Sequence, residues 1–461
     1  MFSSFANIFK IPDLRKKIFF TLLIIAFFRL GCFIPVPGID VAALKALFES
    51  IAGSADNVLG GSLIALSTLF TGGAIANAAI FGLGVMPYIS ASIIFQVLTV
   101  VWPSLQALSK EGETGRKKIQ QYVRITTVGL SFFQAMIICV GLTQLSSQGR
   151  PIVSAASAGS FVILGSLIIT TGCMLLMWLG EQIDEYGIGN GISMIIMVGI
   201  VARFVPAIYN VLSRTEITSI TGTEGTLGIF QIIVMLALFG VMILATVMIT
   251  RGQRRIPIQQ ARRTRGNRVY GGQRTYLPIG VNMVNVIPII FAQALFILPN
   301  SLAALEKSNA GNLLGYIGHF FSYFQFGKFW YTVLYILLII FFSYFYAAIT
   351  FKPDEVADRM KQYGNFIPGI RPGRQTEEYL ERILTHVTMF GAVCLAGIAI
   401  VPMFASKAFG MSYVVTGFFG GTGLLIVVGV ALDLMQKIES HLLMHNYEGF
   451  LKKGKLKGRR G

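Results

Sequence analysis

The stretch AAIFGLGVMPYISASIIFQVLTVVWPSL, residues 78–105, carries no charged side chain from its first residue to its last. A helix needs roughly 20 mostly apolar residues to cross the hydrocarbon core of a bilayer, and this stretch is long enough. The whole chain agrees, because 54% of its 461 residues are hydrophobic and only 13% are charged. A soluble domain has about 25% charged residues. The sequence therefore predicts an all-α polytopic membrane protein.

Nine further apolar stretches accompany this one. The ten predicted spans lie near 18–35, 76–101, 121–145, 155–180, 190–212, 226–250, 281–300, 329–351, 383–403 and 416–438. The first is interpreted as a retained helix, because it ends in Pro-Val-Pro-Gly at 35–38 and not in a small-residue cleavage site. Ten spans divide into two five-helix halves of opposite topology, residues 1–225 and 226–461. Such halves place a functional pathway at their interface.

The basic residues are distributed unevenly between alternate loops. The net charge of +17 could suggest nucleic acid binding, but in a membrane protein the positions of Lys and Arg report orientation. The N-terminus, the loops 251–280 and 352–382, the loop after the second span and the C-terminal tail hold 28 of the 38 basic residues, and the opposite loops hold six. This bias predicts that both ends of the chain lie in the cytoplasm.

Several kinds of chemistry are missing from the sequence. The spans have no acidic residue near their centres, which disfavours a pump driven by protons or sodium ions. No phosphate-binding glycine loop with its lysine is present, so no ATPase activity is predicted. No pair of the four cysteines shows metal-ligand spacing, and no metal or cofactor is predicted. The cysteines, expected to be small buried side chains, are Cys32, Cys139, Cys173 and Cys394.

Two further predictions concern charged groups inside the spans. Asp433 and Lys437 lie four residues apart, so they are expected to pair on one helix face. Arg29 and Arg203 lie in the outer parts of their spans, and we expect them to snorkel toward the membrane surface.

Long motifs along the whole chain carry a resemblance to a known family. Besides 78–105 they are FRLGCFIPVPGID (28–40), EGETGRKKIQQY (111–122), MWLGEQIDEYGIGNGIS (177–193), RGQRRIPIQQARR (251–263), LPIGVNMVNVIPIIFA (277–292), FIPGIRPGRQTEEYL (366–380) and FGGTGLLIVVGVALD (419–433). The chain closely resembles the SecY family, the channel-forming subunits of the bacterial Sec protein translocase. The resemblance implies ten transmembrane helices in two inverted halves around a central hourglass pore.

The resemblance also implies a seal for that pore. A ring of aliphatic side chains, here called the collar, would comprise Val85, Ile89, Ile196, Ile290 and Ile426. A narrow apolar constriction blocks ions by dewetting. A plug would be formed by the glycine-interrupted segment 58–75, with Leu63, Ile64, Leu66, Ser67, Leu69 and Phe70. Without the family motifs, these residues would be interpreted as ordinary core or lipid-facing residues, and segment 58–75 as an outer surface loop.

A lateral exit into lipid is a further implication. The family uses a seam between the second and third spans and the seventh and eighth spans, and polar residues near it would be Ser90, Gln134 and Asn282. Hydrogen bonds between membrane helices contribute on the order of 1 kcal/mol, which favours closure but permits opening. Ser90 and Gln134 could equally be packing residues.

Two cytoplasmic loops are the predicted docking sites for partners. Loop 251–280 contains eight arginines, no acidic residue and a hairpin-like stretch around Gly271-Gly272. In loop 352–382, a helix is predicted to begin at Pro353 and to end at Gly364. By resemblance, Arg254, Arg255, Arg268 and Arg371 would dock the motor SecA and the ribosome. Anionic lipid is a competing partner for the basic loop.

The sequence thus predicts a protein-conducting channel in the bacterial cytoplasmic (inner) membrane. It would bind signal sequences, translocate unfolded preproteins and release transmembrane segments into lipid. It would be no enzyme, would be driven by SecA or the ribosome, and would assemble with SecE- and SecG-like subunits. The alternatives are a solute transporter, a lipid flippase, or an insertase without a through-pore. A transporter would need substrate-coordinating groups at mid-membrane, and a flippase a wide hydrophilic groove; neither is evident.

Overall fold

The protein folds mainly into long helices. The computed structural model describes residues 11–44, 46, 71–144, 146–147, 150–153, 158–213, 228–260, 263–265, 268–270, 274–283, 286–303, 313–324, 328–409 and 422–453. The helices are α1 (Pro12–Gly31), α2 (Met86–Val101), α3 (Pro103–Lys110), α4 (Glu113–Gln144), α5 (Ala158–Tyr186), α6 (Gly191–Ser213), α7 (Ile229–Arg251), α8 (Ile287–Ala303), α9 (Leu313–Ser322), α10 (Phe329–Thr350), α11 (Pro353–Gln362), α12 (Arg374–Phe409) and α13 (Thr422–Lys453).

The short strands are confined to the loops. They are β1 (Ser146–Ser147), β2 (Arg150–Pro151), β3 (Gln253–Gln260), β4 (Arg263–Arg265), β5 (Arg268–Tyr270), β6 (Arg274–Gly280) and β7 (Asn365–Phe366). Strands β6, β3 and β7 form one three-stranded sheet in that order, while β1 pairs with β2 and β4 pairs with β5.

The described helices confirm a polytopic membrane protein. Five of them are long and apolar enough to cross a membrane, or six if the bent pair α2 and α3 is one span. Each of the ten predicted spans overlaps a helix of the described residues. Between α2 and α3 the chain turns by 98°. Trp102 is extended there, with φ −98° and ψ 114°, as expected for the residue before a proline.

The predicted start of the second span is wrong. Residues 71–85 form consecutive turns, and α2 begins only at Met86. Gly72, Gly73 and Gly84 have φ values of +64°, +88° and +58°, a region that glycine enters without steric cost. We call residues 71–85 the turn segment. Irregular backbone of this kind is tolerated at membrane depth only where it is surrounded by protein.

Glycines in the surrounding helices make room for the turn segment. An added Cβ on Gly172 of α5 would collide with the carbonyl oxygen of Ile80, and one on Gly31 of α1 would collide with the ring of Phe81. The backbone nitrogen of Ile80 also donates to the carbonyl oxygen of Ile34 at 3.0 Å. The turn segment is therefore enclosed between helices at van der Waals distance.

Contacts divide the chain into two compact units. The first is Met1–Asn210 with Val430–Gly461, and the second is Val211–Gly429. The predicted halves, 1–225 and 226–461, stay a prediction. In the first unit α4 packs along α5, with Cys139 and Phe161 buried between them. Gly165 permits this approach, because an added Cβ would lie 3.0 Å from the Cys139 sulfur.

A smaller apolar cluster in the first unit joins α1 to the last helix. Leu14 and Ile188 are buried there, with Leu434 and Ile438 packed against them. Nearby, Nζ of Lys437 lies 3.4 Å from Oδ2 of Asp433, which confirms that predicted pair. In the second unit, α10 packs against α8 and α12, and α11 packs on α12.

Candidate docking and pore sites

The loops 251–280 and 352–382 share one sheet. Strand β3 pairs antiparallel with β6 from Gln253–Gly280 to Gln259–Arg274. The other edge of β3 pairs with β7, Gln259 opposite Phe366 and Gln260 opposite Asn365. The predicted hairpin in the first loop is therefore confirmed, although Gly271 and Gly272 lie outside the described residues. We call the sheet β6-β3-β7, with α11 and the turn after β7, the docking module.

An apolar core fixes the docking module on α12. Its buried members come from both loops and from α12: Ile256, Ile279, Met360, Ile367, Leu380, Ile383 and Val387. Ile279 and Leu380 have no exposed surface. Gly391 of α12 lies against the carbonyl oxygen of Val281, where an added Cβ would collide. The two loops cannot move apart without opening this core.

The predicted docking arginines of the first loop lie on the strands. Arg254 and Arg255 are exposed on β3, and Ile256 beside them points into the core. Arg268 lies in β5, where its Cα partner across the strand pair is Arg265. Arg254 and Arg255 lie opposite Ile279 and Pro278 of β6, so both arginines project from a paired strand. Their roles in docking stay predictions.

Arg371 projects from a tightly held turn. Its side chain is exposed, while its carbonyl oxygen accepts a hydrogen bond from Oγ1 of the buried Thr376 at 2.9 Å. Gly369 and Gly373 flank it with φ values of +85° and +107°, and Ile370 packs on the core of the docking module. The backbone at Arg371 is thus held in place while its guanidinium remains free to contact a partner.

The helix before this turn has the predicted bounds. It begins at Pro353, its last helical residue is Gln362, and Gly364 follows with a φ of +68°. The strand at Asn365 and Phe366 and the hydrogen bond from Thr376 to the carbonyl oxygen of Arg371 were missed. Asn365 and Phe366 are too few to show the alternation that predicts a strand, and their partner β3 lies in the other loop.

The five predicted collar residues are all buried. In the first unit, Val85 ends the turn segment, Ile89 lies one turn into α2, and Ile196 lies on α6, with 2%, 5% and 1% of their surfaces exposed. In the second unit, Ile290 lies on α8 and Ile426 on α13, and they are 6% and 0% exposed. Convergence of the five side chains on one constriction stays a prediction.

The predicted gate residues occupy three different elements. Oγ of Ser90 donates to the carbonyl oxygen of Met86 at 3.1 Å, within its own helix. Gln134 is buried on α4, and Asn282 is buried between β6 and α8. Their role at a lateral seam stays a prediction. The six predicted plug residues, Leu63, Ile64, Leu66, Ser67, Leu69 and Phe70, lie outside the described residues.

The prediction that Arg29 and Arg203 snorkel is wrong. Nη1 of Arg29 donates to the carbonyl oxygen of Gly72 at 3.2 Å, and the Arg203 guanidinium lies directly against Gly73. Both side chains are half-buried. Snorkelling assumes that the charged group reaches for water, but here Gly72 supplies an acceptor for Arg29 inside the protein, and Arg203 is turned toward Gly73.

Within the described residues, no group of three or more His, Cys, Asp or Glu side chains could hold a metal ion. All four cysteines are free, and Cys32, Cys139 and Cys173 are buried while Cys394 is half-buried.

Comparison with known proteins decides the family. The family model described as SecY matches residues 79–435. The chain belongs to the SecY family. Among its relatives, the protein translocase subunit SecY of Thermotoga maritima is 42% identical over 460 residues, which cover 100% of both chains. The SecY of Escherichia coli K12 is 42% identical over 447 residues, covering 97% of this chain and 96% of the relative.

Solved structures share the SecY fold with this chain. The structure described as "The structure of a protein conducting channel" has a TM-score of 0.60 at 18% identity, covering 95% of this chain and 96% of that one. The structure described as "Sec61 in the Canine ribosome-channel complex from the endoplasmic reticulum" has a TM-score of 0.59 at 17% identity, with the same coverage. Ten membrane-spanning helices are consistent with this family.

Proposed function

We propose that the chain is the protein-conducting channel of the general secretory pathway. It translocates unfolded preproteins across the membrane and releases their transmembrane segments sideways into lipid. The observation that carries the proposal is the 42% identity to a protein translocase subunit over the full length of both chains. The chain itself performs no covalent chemistry and acts as a channel subunit.

The collar supplies the barrier of the resting channel in this proposal. Val85, Ile89, Ile196, Ile290 and Ile426 are aliphatic, and an ion cannot shed its water among them without a large desolvation cost. The channel must pass peptides of any sequence, and flexible aliphatic side chains can part around each of them. The plug, segment 58–75, gives a second barrier, and Ser90, Gln134 and Asn282 hold the lateral seam.

The docking module is the proposed binding site for the ribosome and SecA, which drive translocation. Arg254, Arg255 and Arg371 are exposed on a rigid framework, and guanidinium groups bind phosphates and carboxylates through two parallel hydrogen bonds. This chemistry suits both the ribosomal RNA backbone and acidic groups on a motor protein. Ribosome-bound channels occur among the structural neighbours. We propose that the ribosome and SecA dock here, and that SecE- and SecG-like subunits complete the complex.

The proposed location is the bacterial cytoplasmic membrane, with both chain ends in the cytoplasm. The excess of Lys and Arg in alternate loops supports this orientation. Basic loop 251–280 then faces a leaflet rich in anionic lipid, which is a further partner of this surface.

Photo-crosslinking of a stalled secretory chain tests the proposal. A photoreactive residue at Ile196 should crosslink to the stalled chain in membranes, whereas one at Ile340 on α10, outside the collar, should not. Contacts at lipid-facing positions with none at any collar position would contradict a through-pore. That result would favour an insertase or a flippase.

A further inference from the structure

Two arginines from different helices converge on one glycine pair. Arg29 projects from α1 and Arg203 from α6, and their guanidinium groups meet the backbone at Gly72 and Gly73. An added Cβ on Gly73 would lie 2.7 Å from Cζ of Arg203, and one on Gly72 would lie 3.1 Å from Nη1 of Arg29. A Cβ added to Gly72 would also lie 3.0 Å from the Cα of Gly199, so this position requires glycine for space as well as for its positive φ. Gly73 requires glycine for its positive φ, and a Cβ there would push the Arg203 side chain aside.

The arrangement has an electrostatic cost. The two guanidinium groups repel each other. Among the described residues, neither forms an ion pair with a carboxylate. The ring of Phe33 lies 5.4 Å from Cζ of Arg29, a weaker contact. Ionisable side chains within membrane spans are costly and usually mark functional positions. Here the carbonyl oxygen of Gly72 accepts a hydrogen bond from Arg29, and the guanidinium of Arg203 packs against Gly73.

A continuous set of contacts leads from this pair to the collar. Thr71 is buried and immediately precedes the two glycines. Its Cγ2 would lie 3.3 Å from a Cβ added to Gly84, whose φ is +58°. Gly84 is bonded through its backbone nitrogen to the carbonyl oxygen of Phe81 at 2.9 Å. The next residue is Val85, which caps α2. We therefore expect a displacement of Gly72 and Gly73 to shift Val85.

We propose that Arg29 and Arg203 are positioning residues, which hold the turn segment and through it Val85 in the sealed arrangement of the pore. This inference rests on the collar of the proposed function. Neither arginine touches a translocating chain in this role. Each acts by fixing the backbone on which a collar residue is mounted. The two act on the same segment, so their effects should be coupled and not additive.

A native thiol reports the position of the turn segment independently of the collar. The Cys32 sulfur lies 3.9 Å from the carbonyl oxygen of Thr71, and only 1% of this residue is exposed. In the assembled translocase complex in membranes, Arg29→Gln and Arg203→Gln should accelerate maleimide labelling of Cys32 about tenfold. For Arg29→Gln this is the effect of losing one charge-assisted hydrogen bond to Gly72, and for Arg203→Gln it is the effect of losing the packing of its guanidinium on Gly73. Arg29→Lys, which keeps the charge and a donor, should recover part of the protection.

Three controls accompany the labelling. Cys173 is also 1% exposed, and its continued protection shows that the variant remains folded. Arg124→Gln removes an arginine bonded to Glu181 at 2.7 Å, away from the turn segment, and should leave Cys32 protected. Gly73→Ala retains both arginines but displaces Arg203. It should expose Cys32 as the Gln variants do, which separates displacement of the turn segment from simple loss of charge.

Resting ion current through the same complexes completes the test. The arginine variants and Ile196→Asn should all raise the current, whereas Arg124→Gln should not. Unchanged Cys32 labelling in both Gln variants would overturn the positioning role. If labelling rises and Ile196→Asn leaks but the arginine variants do not, the link to the seal is wrong while the collar stands. If Ile196→Asn itself is silent, the collar is wrong, and the inference about the seal fails with it.

Discussion

Gln260 of β3 pairs with Asn365 of β7, so the loops 251–280 and 352–382, which are far apart in the sequence, form one sheet. The exposed arginines of the first loop and the exposed Arg371 of the second are thus carried by the same framework. A single partner that touches both loops meets a surface of fixed geometry. This relationship is the structural basis for treating the docking module as one site.

Arg371→Glu should abolish SecA-driven export while the translocase complex still assembles. Reversal of a charge at a docking site costs several kcal/mol, through like-charge repulsion and the partner group left unpaired. The backbone of the turn is held by Thr376, so the substitution should not unfold it. Export of a preprotein into membrane vesicles with purified SecA and ATP measures the effect.

The matched control for that variant is Arg374→Glu. Arg374 lies three residues further along the chain, 89% of its side chain is accessible, and Nε pairs with Oε1 of Glu378 at 3.2 Å. Exposed pairs of this kind contribute about 0–1 kcal/mol, so export should persist. Equal loss of export in both variants would mean that net charge, and not Arg371, governs docking.

Ile279→Ala should destabilise the docking module by about 2–5 kcal/mol, the usual cost of truncating a fully buried isoleucine. Ile279 has no exposed surface and lies in the core shared by both loops. Hydrogen exchange should therefore quicken in β3, β6 and β7 together, with α4 and α5 unaffected. Faster exchange in β6 alone would show that the strands are not one cooperative unit.

Cysteine labelling tests the topology. In a variant that lacks the four native cysteines, single cysteines near residues 112, 265 and 365 should react only from the cytoplasmic side. Those near 148, 310 and 408 should react only from outside. The physical reason is the distribution of Lys and Arg, which orients the loops during insertion. A swap of any site between the two sets would contradict ten spans with both ends inside.

Ile196→Asn or Ile290→Asn should make the resting channel leak ions, and the corresponding Leu variants should not. An amide at the constriction retains water and lowers the cost of ion entry, whereas leucine keeps the collar apolar. Current through planar bilayers without SecA or substrate measures the leak. Combination with deletion of residues 60–70 should increase it further.

Ile340→Asn provides the control for this experiment, because Ile340 is half-buried on α10 and outside the collar. Comparable leak from this variant would attribute the current to general damage. A silent double variant that still exports preproteins would mean that the collar lies elsewhere.

The sequence predicted the elements whose signals are local. Helix α11 begins at Pro353 and ends just before Gly364, because proline and glycine act on the backbone where they stand. The ten apolar stretches likewise each contain a helix. Hydropathy alone cannot distinguish an apolar helix from an apolar irregular segment, however. The helix predicted from residue 76 therefore proved to start at Met86, after four glycines within residues 71–85.

Contacts between distant residues were the part that the sequence could not predict. Nothing near Asn365 indicates that β3 is its partner, since a two-residue strand has no recognisable period. Arg203 gave a misleading signal for a similar reason. A cation in the outer part of a span is expected to reach for water, and only the fold brings the backbone of Gly73 to it.

The shared sheet also sets the smallest portion of the docking module that can be exchanged between relatives. A graft of residues 251–280 alone would pair the transplanted β3 with the β7 of the host, whose sequence matches the β3 of the host. It would also separate Ile256 from the side chains of α12 that pack with it. A transplant of partner specificity from one translocase to another should therefore require both loops and the first turns of α12 together. Because Phe366 lies opposite Gln259 in the sheet, substitutions that suppress a defect at Phe366 are expected at Gln259 more than at the sequence neighbours of Phe366.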